Sequence, residues 1–217
     1  MSKVRVLLLA GLLVLVSLAV LAGCRSAHTT SAILYIDEQN YDKAVQVIHE
    51  GFEYRDDEPD AYYYLGEAYS HLAEEAVDGD DFGEAKKNYQ LAYDAYQQSK
   101  SLDPEGYGDK VDESLSYNYT NRVRQAGLDW DEGYYEQAEG HLRLAFAALP
   151  DSMTPVKNIA RMKMQMSNDA EFADQKEDLL NEALVLLDQV IAKYPDAYDL
   201  QVNKANVLAA LGRGDEA

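Results

Sequence analysis

Residues 62–69 read Tyr-Tyr-Tyr-Leu-Gly-Glu-Ala-Tyr, and this stretch decides the fold of the chain. Tyr62, Leu65 and Tyr69 are spaced three and four residues apart, so in a helix they fall on one face. Gly66 beside them leaves room for a second helix to approach closely. The stretch therefore predicts the first helix of a tightly packed helical hairpin.

A proline period extends this hairpin along the chain. Pro59, Pro104, Pro150 and Pro195 are separated by 45, 46 and 45 residues, and each is followed by Asp or Glu. Proline suits the first turn of a helix, and an acid there complements the helix dipole. Each pair therefore predicts the start of a helical hairpin, and a period of this length indicates a solenoid.

Each interval between prolines holds two helices and a turn, and no stretch shows the alternation of a β-strand. We expect an all-α chain, with turns at residues 78–81, at Gly133 and at residues 167–169. The expected helices are, approximately, 27–38, 41–54, 59–76, 82–102, a long one ending near 130, 134–149, 153–166 and 171–193.

The pattern resembles tetratricopeptide repeats (TPRs), whose first helix carries an aromatic, then Leu-Gly, then Tyr, as residues 62–69 do. Second helices of the family open with an aromatic and an alanine three residues later, as at Tyr41 with Ala44 and Tyr135 with Ala138. Residues 203–217 are similar to a first helix, its turn and the opening of the next helix. We expect this last repeat to be incomplete, belonging to a longer array.

The resemblance covers residues 29–217 and implies a TPR-like α-solenoid of helical hairpins. The family unit has about 34 residues, so these repeats are elongated by roughly three helical turns. Another α-solenoid or an irregular helical bundle would show the same periodicity, and both stay open as alternatives.

The N-terminus has the order of a bacterial secretion signal. Lys3 and Arg5 precede an uncharged run over residues 6–23, and Leu21-Ala22-Gly23-Cys24 closes it. This ending resembles the lipobox of bacterial lipoproteins, in which the cysteine is lipidated. The alternative is an uncleaved membrane anchor, since 18 apolar residues just suffice to span a bilayer.

The resemblance implies a layout of a signal peptide at 1–23, a lipidated Cys24 with a short tether at 24–28, and a repeat domain at 29–217. Arg25, rather than Asp, follows the cysteine, which favours the outer membrane in enterobacteria. We therefore expect a lipid-anchored protein of the cell envelope, in the outer membrane and facing the periplasm.

The chain is strongly acidic, with 39 Asp and Glu against 19 Lys and Arg and a formal net charge of −20. Removal of residues 1–23 would bring this to −22. Such a charge disfavours binding of nucleic acid, because contacts to its phosphates require clustered Lys and Arg side chains. It is typical of a solvated surface, and it would suit either a saline habitat or a basic partner.

The sequence offers no enzyme chemistry. The loop from Asp78 begins like a calcium loop but has Phe82 and Tyr89 at required ligand positions. The four histidines lack metal-ligand spacing, and no nucleophile or phosphate-binding motif occurs. We expect no catalytic residue, no metal and no cofactor.

The candidate binding residues follow from the TPR resemblance. Tyr63, Glu67 and Ser70 form a stripe separate from the packing residues, so they are expected to face a concave groove and to be free for a ligand. Asn203 and Asn206 match family positions that bind the backbone of an extended peptide. These five residues predict a groove for a segment of another envelope protein.

Two functions remain after these exclusions. The favoured one is a protein–protein interaction scaffold held at the membrane. The alternative is a glycan-binding or glycan-uptake lipoprotein with TPR-like helices. Trp130 is the only tryptophan, whereas such glycan-binding proteins carry several exposed tryptophan platforms, so the scaffold is preferred.

Overall fold

The computed structural model describes residues 25–216, and over this range the chain is helical with no β-strand, which confirms the expected all-α class. The predicted signal peptide and Cys24 lie outside the described residues. The helices are α1 (Ala27–Asp37), α2 (Tyr41–Phe52), α3 (Pro59–Asp78), α4 (Phe82–Leu102), α5 (Pro104–Glu132), α6 (Tyr135–Ala148), α7 (Thr154–Met166), α8 (Lys176–Lys193) and α9 (Tyr198–Ala210). Two 3₁₀ helices span Ala170–Gln175 and Gly214–Glu216.

The prolines play two different roles. Pro59 and Pro104 lie in the first turn of α3 and α5, as expected. Pro150 and Pro195 do not begin a helix, because each lies in a turn three or four residues before α7 or α9. The prediction that every proline opens a hairpin is therefore wrong for these two, although both still mark the boundary between hairpins.

Local sequence features determine where several helices begin and end. Gly133 stops α5 in the left-handed conformation, with φ of 85°, and Asp81 caps α4 by accepting from the backbone N–H of Glu84 at 2.9 Å. The expected helix over 171–193 is shorter than predicted. Residues 170–175 form a 3₁₀ turn that is distorted at Phe172, and α8 begins only at Lys176.

The N-terminal helix is fixed to the rest of the fold. Glu58 is buried and accepts hydrogen bonds from the backbone N–H of Ser26 at 2.6 Å and from the Thr29 hydroxyl at 3.0 Å. Arg25 pairs with Asp60 at 2.6 Å. Helix α1 thus starts at Ala27, and Arg25 and Ser26, which belong to the predicted tether at 24–28, contact the helical domain.

Each helix packs against the next in sequence, most extensively within the pairs α1–α2, α3–α4, α5–α6 and α7–α8. Contacts between alternate helices, α1 with α3, α3 with α5, α4 with α6 and α7 with α9, join neighbouring pairs. The buried apolar residues form successive clusters along this order, with Tyr89 and Tyr96 fully buried between helices. Within residues 25–216, no helix is long and apolar enough to cross a membrane.

Candidate functional site

Three clefts follow one another between the odd-numbered helices. The α3–α5 cleft measures about 420 Å³, the α5–α7 cleft about 430 Å³ and the α7–α9 cleft about 500 Å³. Helix α5 lines the first two, and Asn158 and Arg161 of α7 line the last two. The second and third clefts therefore share a wall, while the first and second lie along successive stretches of α5, so that the three follow one another along the chain.

The α3–α5 cleft contains the predicted stripe. Tyr63, Glu67 and Ser70 all line it, so the structure brings these three candidates together. Facing them on α5 are Ser114 and Asn118. The local spacing of the three α3 residues was enough to find this cleft.

These side chains form more hydrogen bonds within the fold than expected. Glu67 Oε1 accepts from the Tyr96 hydroxyl at 2.6 Å and from the Ser114 hydroxyl at 3.0 Å. Tyr63 is half-buried and its hydroxyl lies 3.3 Å from that of Ser114. Ser70 is buried and accepts from Asn118 Nδ2 at 2.8 Å. The stripe thus joins α3 to α4 and α5, and Ser70 is not free for a ligand.

Burial raises the pKa values of two phenols of this cleft. Desolvation raises the pKa of Tyr63, and the neighbouring Glu67 raises it further while Ser114 opposes. Desolvation and Glu67 also raise the pKa of Tyr96 well above its ordinary value. Among the tyrosines that line this cleft, the one that remains open to solvent is Tyr117, 65% exposed on α5.

A buried polar chain lies between the first two clefts. Arg122, 9% exposed, donates from Nη2 to Glu74 Oε2 at 2.8 Å, and the Tyr89 hydroxyl donates to the other oxygen of Glu74. Arg122 Nη1 lies 3.5 Å from His141 Nδ1, and His141 Nε2 lies 3.4 Å from Asp129 Oδ2. This chain ties α3, α4, α5 and α6 together, and no sequence signal singled it out.

The α5–α7 cleft combines an apolar floor with a polar rim. Ala126, Ala138, Leu142 and Met162 supply the buried apolar wall, with Trp130 half-buried beside them. The rim carries charged and amide side chains, namely Asp131, Asn158, Arg161 and Gln165. None of these rim residues was predicted, because their proximity depends on how α5 and α7 both pack against α6.

The α7–α9 cleft holds one of the two predicted asparagines. Asn203 lines it together with Asn158 and with Tyr198, which is 76% exposed. Lys157 and Asp199 pair across it. Asn206 is exposed and lines none of the three clefts. Only one of the two predicted asparagines therefore lines this cleft, and Asn158 is the second amide there.

A second buried cation fixes α7. Lys163, 4% exposed, pairs with Glu139 of α6 at 2.7 Å and with Glu182 of α8 at 2.5 Å. Burial opposes ionisation of Glu139, but hydrogen bonds from Lys163 and Arg143 outweigh it and lower its pKa. The walls of the second and third clefts are thus held by ion pairs that keep the helices in register.

Among residues 25–216, no group of three or more His, Cys, Asp or Glu side chains is arranged to hold a metal ion. No protein-family model matches the chain, and a comparison with curated proteins finds no match. The row of clefts and its chemistry are therefore the basis for a functional assignment.

Proposed function

We propose that the protein is a lipid-anchored scaffold of the bacterial cell envelope that binds a segment of another envelope protein. The observation that carries this proposal is the row of three clefts between α3, α5, α7 and α9. A row of successive clefts suits an extended chain segment, which fills successive sites with successive side chains.

The proposal includes a TPR-like solenoid. Paired helices joined by contacts between alternate helices are what a stack of hairpins requires. The glycine of the repeat pattern also has the expected role, since a Cβ atom on Gly66 would lie 2.6 Å from the Tyr96 ring of the paired helix. These features support the resemblance despite the longer repeats.

The exposed chemistry of the clefts suits a protein segment. Tyr117 and Tyr198 present aromatic surface with a polar tip, the kind of side chain that is enriched at interfaces. Asn158 and Asn203 offer amide donors and acceptors that match a peptide backbone. Tyr63 and Glu67 then act as the wall of the first cleft, and Asn206 is outside the proposed contact.

The membrane attachment in this proposal is a lipid on Cys24, with the outer membrane as the site and the repeats facing the periplasm. Buried acyl chains contribute about 0.8 kcal/mol per methylene, so several chains give stable anchoring despite the acidic surface. Mass spectrometry of protein extracted from membranes should show acyl mass on an N-terminal Cys24. An unmodified Cys24 in a chain that still starts at Met1 would exclude this anchor.

The binding function is tested by capture from envelope extract. The full chain in detergent, carrying a C-terminal affinity tag, is compared with a Tyr117→Ala variant and with a Tyr54→Ala control. Tyr54 is 80% exposed and lines none of the three clefts. We expect Tyr117→Ala to weaken capture of the main partner by about tenfold, with Tyr54→Ala unchanged. Equal capture by all three forms would rule out this cleft as the binding site.

Glycan binding is the second candidate, because Trp130 lines the α5–α7 cleft with Asn158 and Gln165. Sugar rings are bound by aromatic faces and planar polar groups, but the indole here is half-buried and meets Tyr135 edge-on at 5.2 Å. Since Trp130 is the only tryptophan, its fluorescence reports on the cleft directly. A saturable change on titration with envelope glycans would favour this candidate over the scaffold.

A further inference from the structure

The wall of the α5–α7 cleft contains a glycine that no packing contact requires. Gly127 lies inside α5 and lines this cleft, and a Cβ atom built on it meets no atom within 4 Å. Gly66 and Gly140 differ, since a Cβ atom there would meet Tyr96 at 2.6 Å and Phe82 at 2.7 Å. Glycine inside a helix is less stable than alanine. Packing explains the glycines at 66 and 140. No contact requires glycine at 127 or at 108 of the same helix, and of these two only Gly127 lines a cleft, where a larger side chain would take up space.

The cleft also carries a cation without a carboxylate partner. Within residues 25–216, Arg161 forms no ion pair, and its contact is Nη2 to Asn158 Oδ1 at 3.4 Å. The chain contains about two acids for each base, and the neighbouring Lys157 and Lys163 are both paired. An unpaired guanidinium at the edge of an apolar cleft is suited to a carboxylate that arrives with a ligand.

The opposite wall of the cleft determines on which side the acidic group of that ligand can lie. Asp131 of α5 lines the same cleft and also forms no ion pair within the described part of the chain. A second acid on the α5 side would be repelled, so the ligand's acidic residue must lie on the α7 side, against Arg161. Between these two walls lies the apolar floor of Ala126, Leu142 and Met162.

We propose that the α5–α7 cleft is the specificity pocket of the scaffold and takes a bulky apolar side chain of the partner segment, with an adjacent acidic residue bound by Arg161. This inference rests on the proposed function, because it assumes that a protein segment occupies the row of clefts. It adds the chemistry of that segment. Trp130 packs on the apolar side chain, and Gly127 leaves the space in which it lies.

The test is a selection of phage-displayed dodecapeptides on the full chain held in detergent micelles. It is run on the wild type, on Arg161→Glu and on Arg124→Glu. Arg124 is an exposed base of α5 that forms no ion pair in the described range and lines none of the three clefts, so it is the matched control for the charge change.

Peptides selected on the wild type and on Arg124→Glu are expected to share an acidic residue next to an aromatic or aliphatic one. Arg161→Glu is expected to exchange that acid for Lys or Arg. A wild-type peptide should then bind Arg161→Glu and Gly127→Leu at least about tenfold more weakly. The unfolding midpoint of Arg161→Glu should be unchanged, and that of Gly127→Leu should be no lower than in the wild type, because leucine favours the helix more than glycine does.

Two results would overturn the inference and are distinguishable from each other. Selected peptides that lack the acid, or that are the same on Arg161→Glu, would contradict the specificity pocket while leaving a peptide-binding scaffold in place. No enrichment on any form would reject the scaffold function itself, and the pocket with it.

Discussion

The backbone of Gly66 lies against the ring of Tyr96. A Cβ atom on residue 66 would stand 2.6 Å from Cδ1 of that ring, which is 1% exposed. Helices α3 and α4 therefore pack at a distance that excludes even a methyl group at this position, as the YYYLGEAY stretch predicts.

Substituting Gly66 with Ala is expected to destabilise the fold by about 1–3 kcal/mol, because overpacking displaces the buried Tyr96. Gly127→Ala is the matched control, since its Cβ atom meets nothing within 4 Å. It should gain about 0.5–1 kcal/mol from helix propensity. Urea unfolding followed by circular dichroism measures both changes. A Gly66→Ala variant as stable as Gly127→Ala would show that the close approach is not needed.

Local signals predicted the helices well, and the misses have physical causes. Helix α4 begins and ends at Phe82 and Leu102, as predicted, because Asp81 caps its start and the helix stops before Pro104. The start of α8 was missed because residues 170–175 have helical composition, and nothing in their periodicity separates a 3₁₀ turn from an α-helical one. Proline alone does not reveal whether it lies in a helix or in the turn before it.

The candidate site could be predicted from the sequence only where all of its residues lie on one helix. Tyr63, Glu67 and Ser70 share a cleft because their spacing on α3 fixes their common face. The pairing of Glu74 with Arg122 joins residues 48 positions apart. Such a contact depends on the packing of α3 against α5, which helical periodicity does not specify.

The Arg122–Glu74 pair is expected to stabilise the junction of α3 and α5. Arg122→Met would leave the Glu74 carboxylate, whose side chain is 33% exposed, with only the Tyr89 hydroxyl. Breaking a fully buried pair costs about 3–5 kcal/mol, and this more accessible one should cost about 2 kcal/mol in urea unfolding. The double variant Arg122→Met with Glu74→Gln should recover part of the loss. No recovery would indicate that the lost packing of Arg122, rather than the unpaired charge, is responsible.

Glu58 is expected to hold the first helix in place. It is 3% exposed and accepts from Ser26 and Thr29, so Glu58→Ala leaves both donors without their partner. Hydrogen exchange of the amides of α1 should then quicken by about tenfold or more, while exchange in α8 stays unchanged. Glu53→Ala, at an exposed position of the same connection between α2 and α3, is the control. Equal exchange in both variants would mean that α1 is held by its apolar face alone.

Acidification is expected to weaken the fold through His141. Burial and, next to it, the Arg122 guanidinium lower the pKa of His141 below its ordinary value of 6.5, although Asp129 opposes them. The unfolded chain then takes up the proton before the folded one, so stability is fully present above about pH 6.5 and falls as the pH drops toward the folded pKa. The pKa values of Glu139 and Asp151 are also lowered, so the stability that these two carboxylates contribute is lost only at more acidic pH.

Urea unfolding between about pH 7.5 and about pH 5.5 should therefore show a decline in the free energy of unfolding. The substitution His141→Gln should reduce this decline, since glutamine cannot take up a proton in this range. The test compares the slope of the free energy of unfolding against pH, not its absolute value, because the substitution also changes packing against Phe82. An equal decline in the variant would mean that His141 takes up its proton equally well in the folded chain, with Asp129 balancing the effect of burial and Arg122.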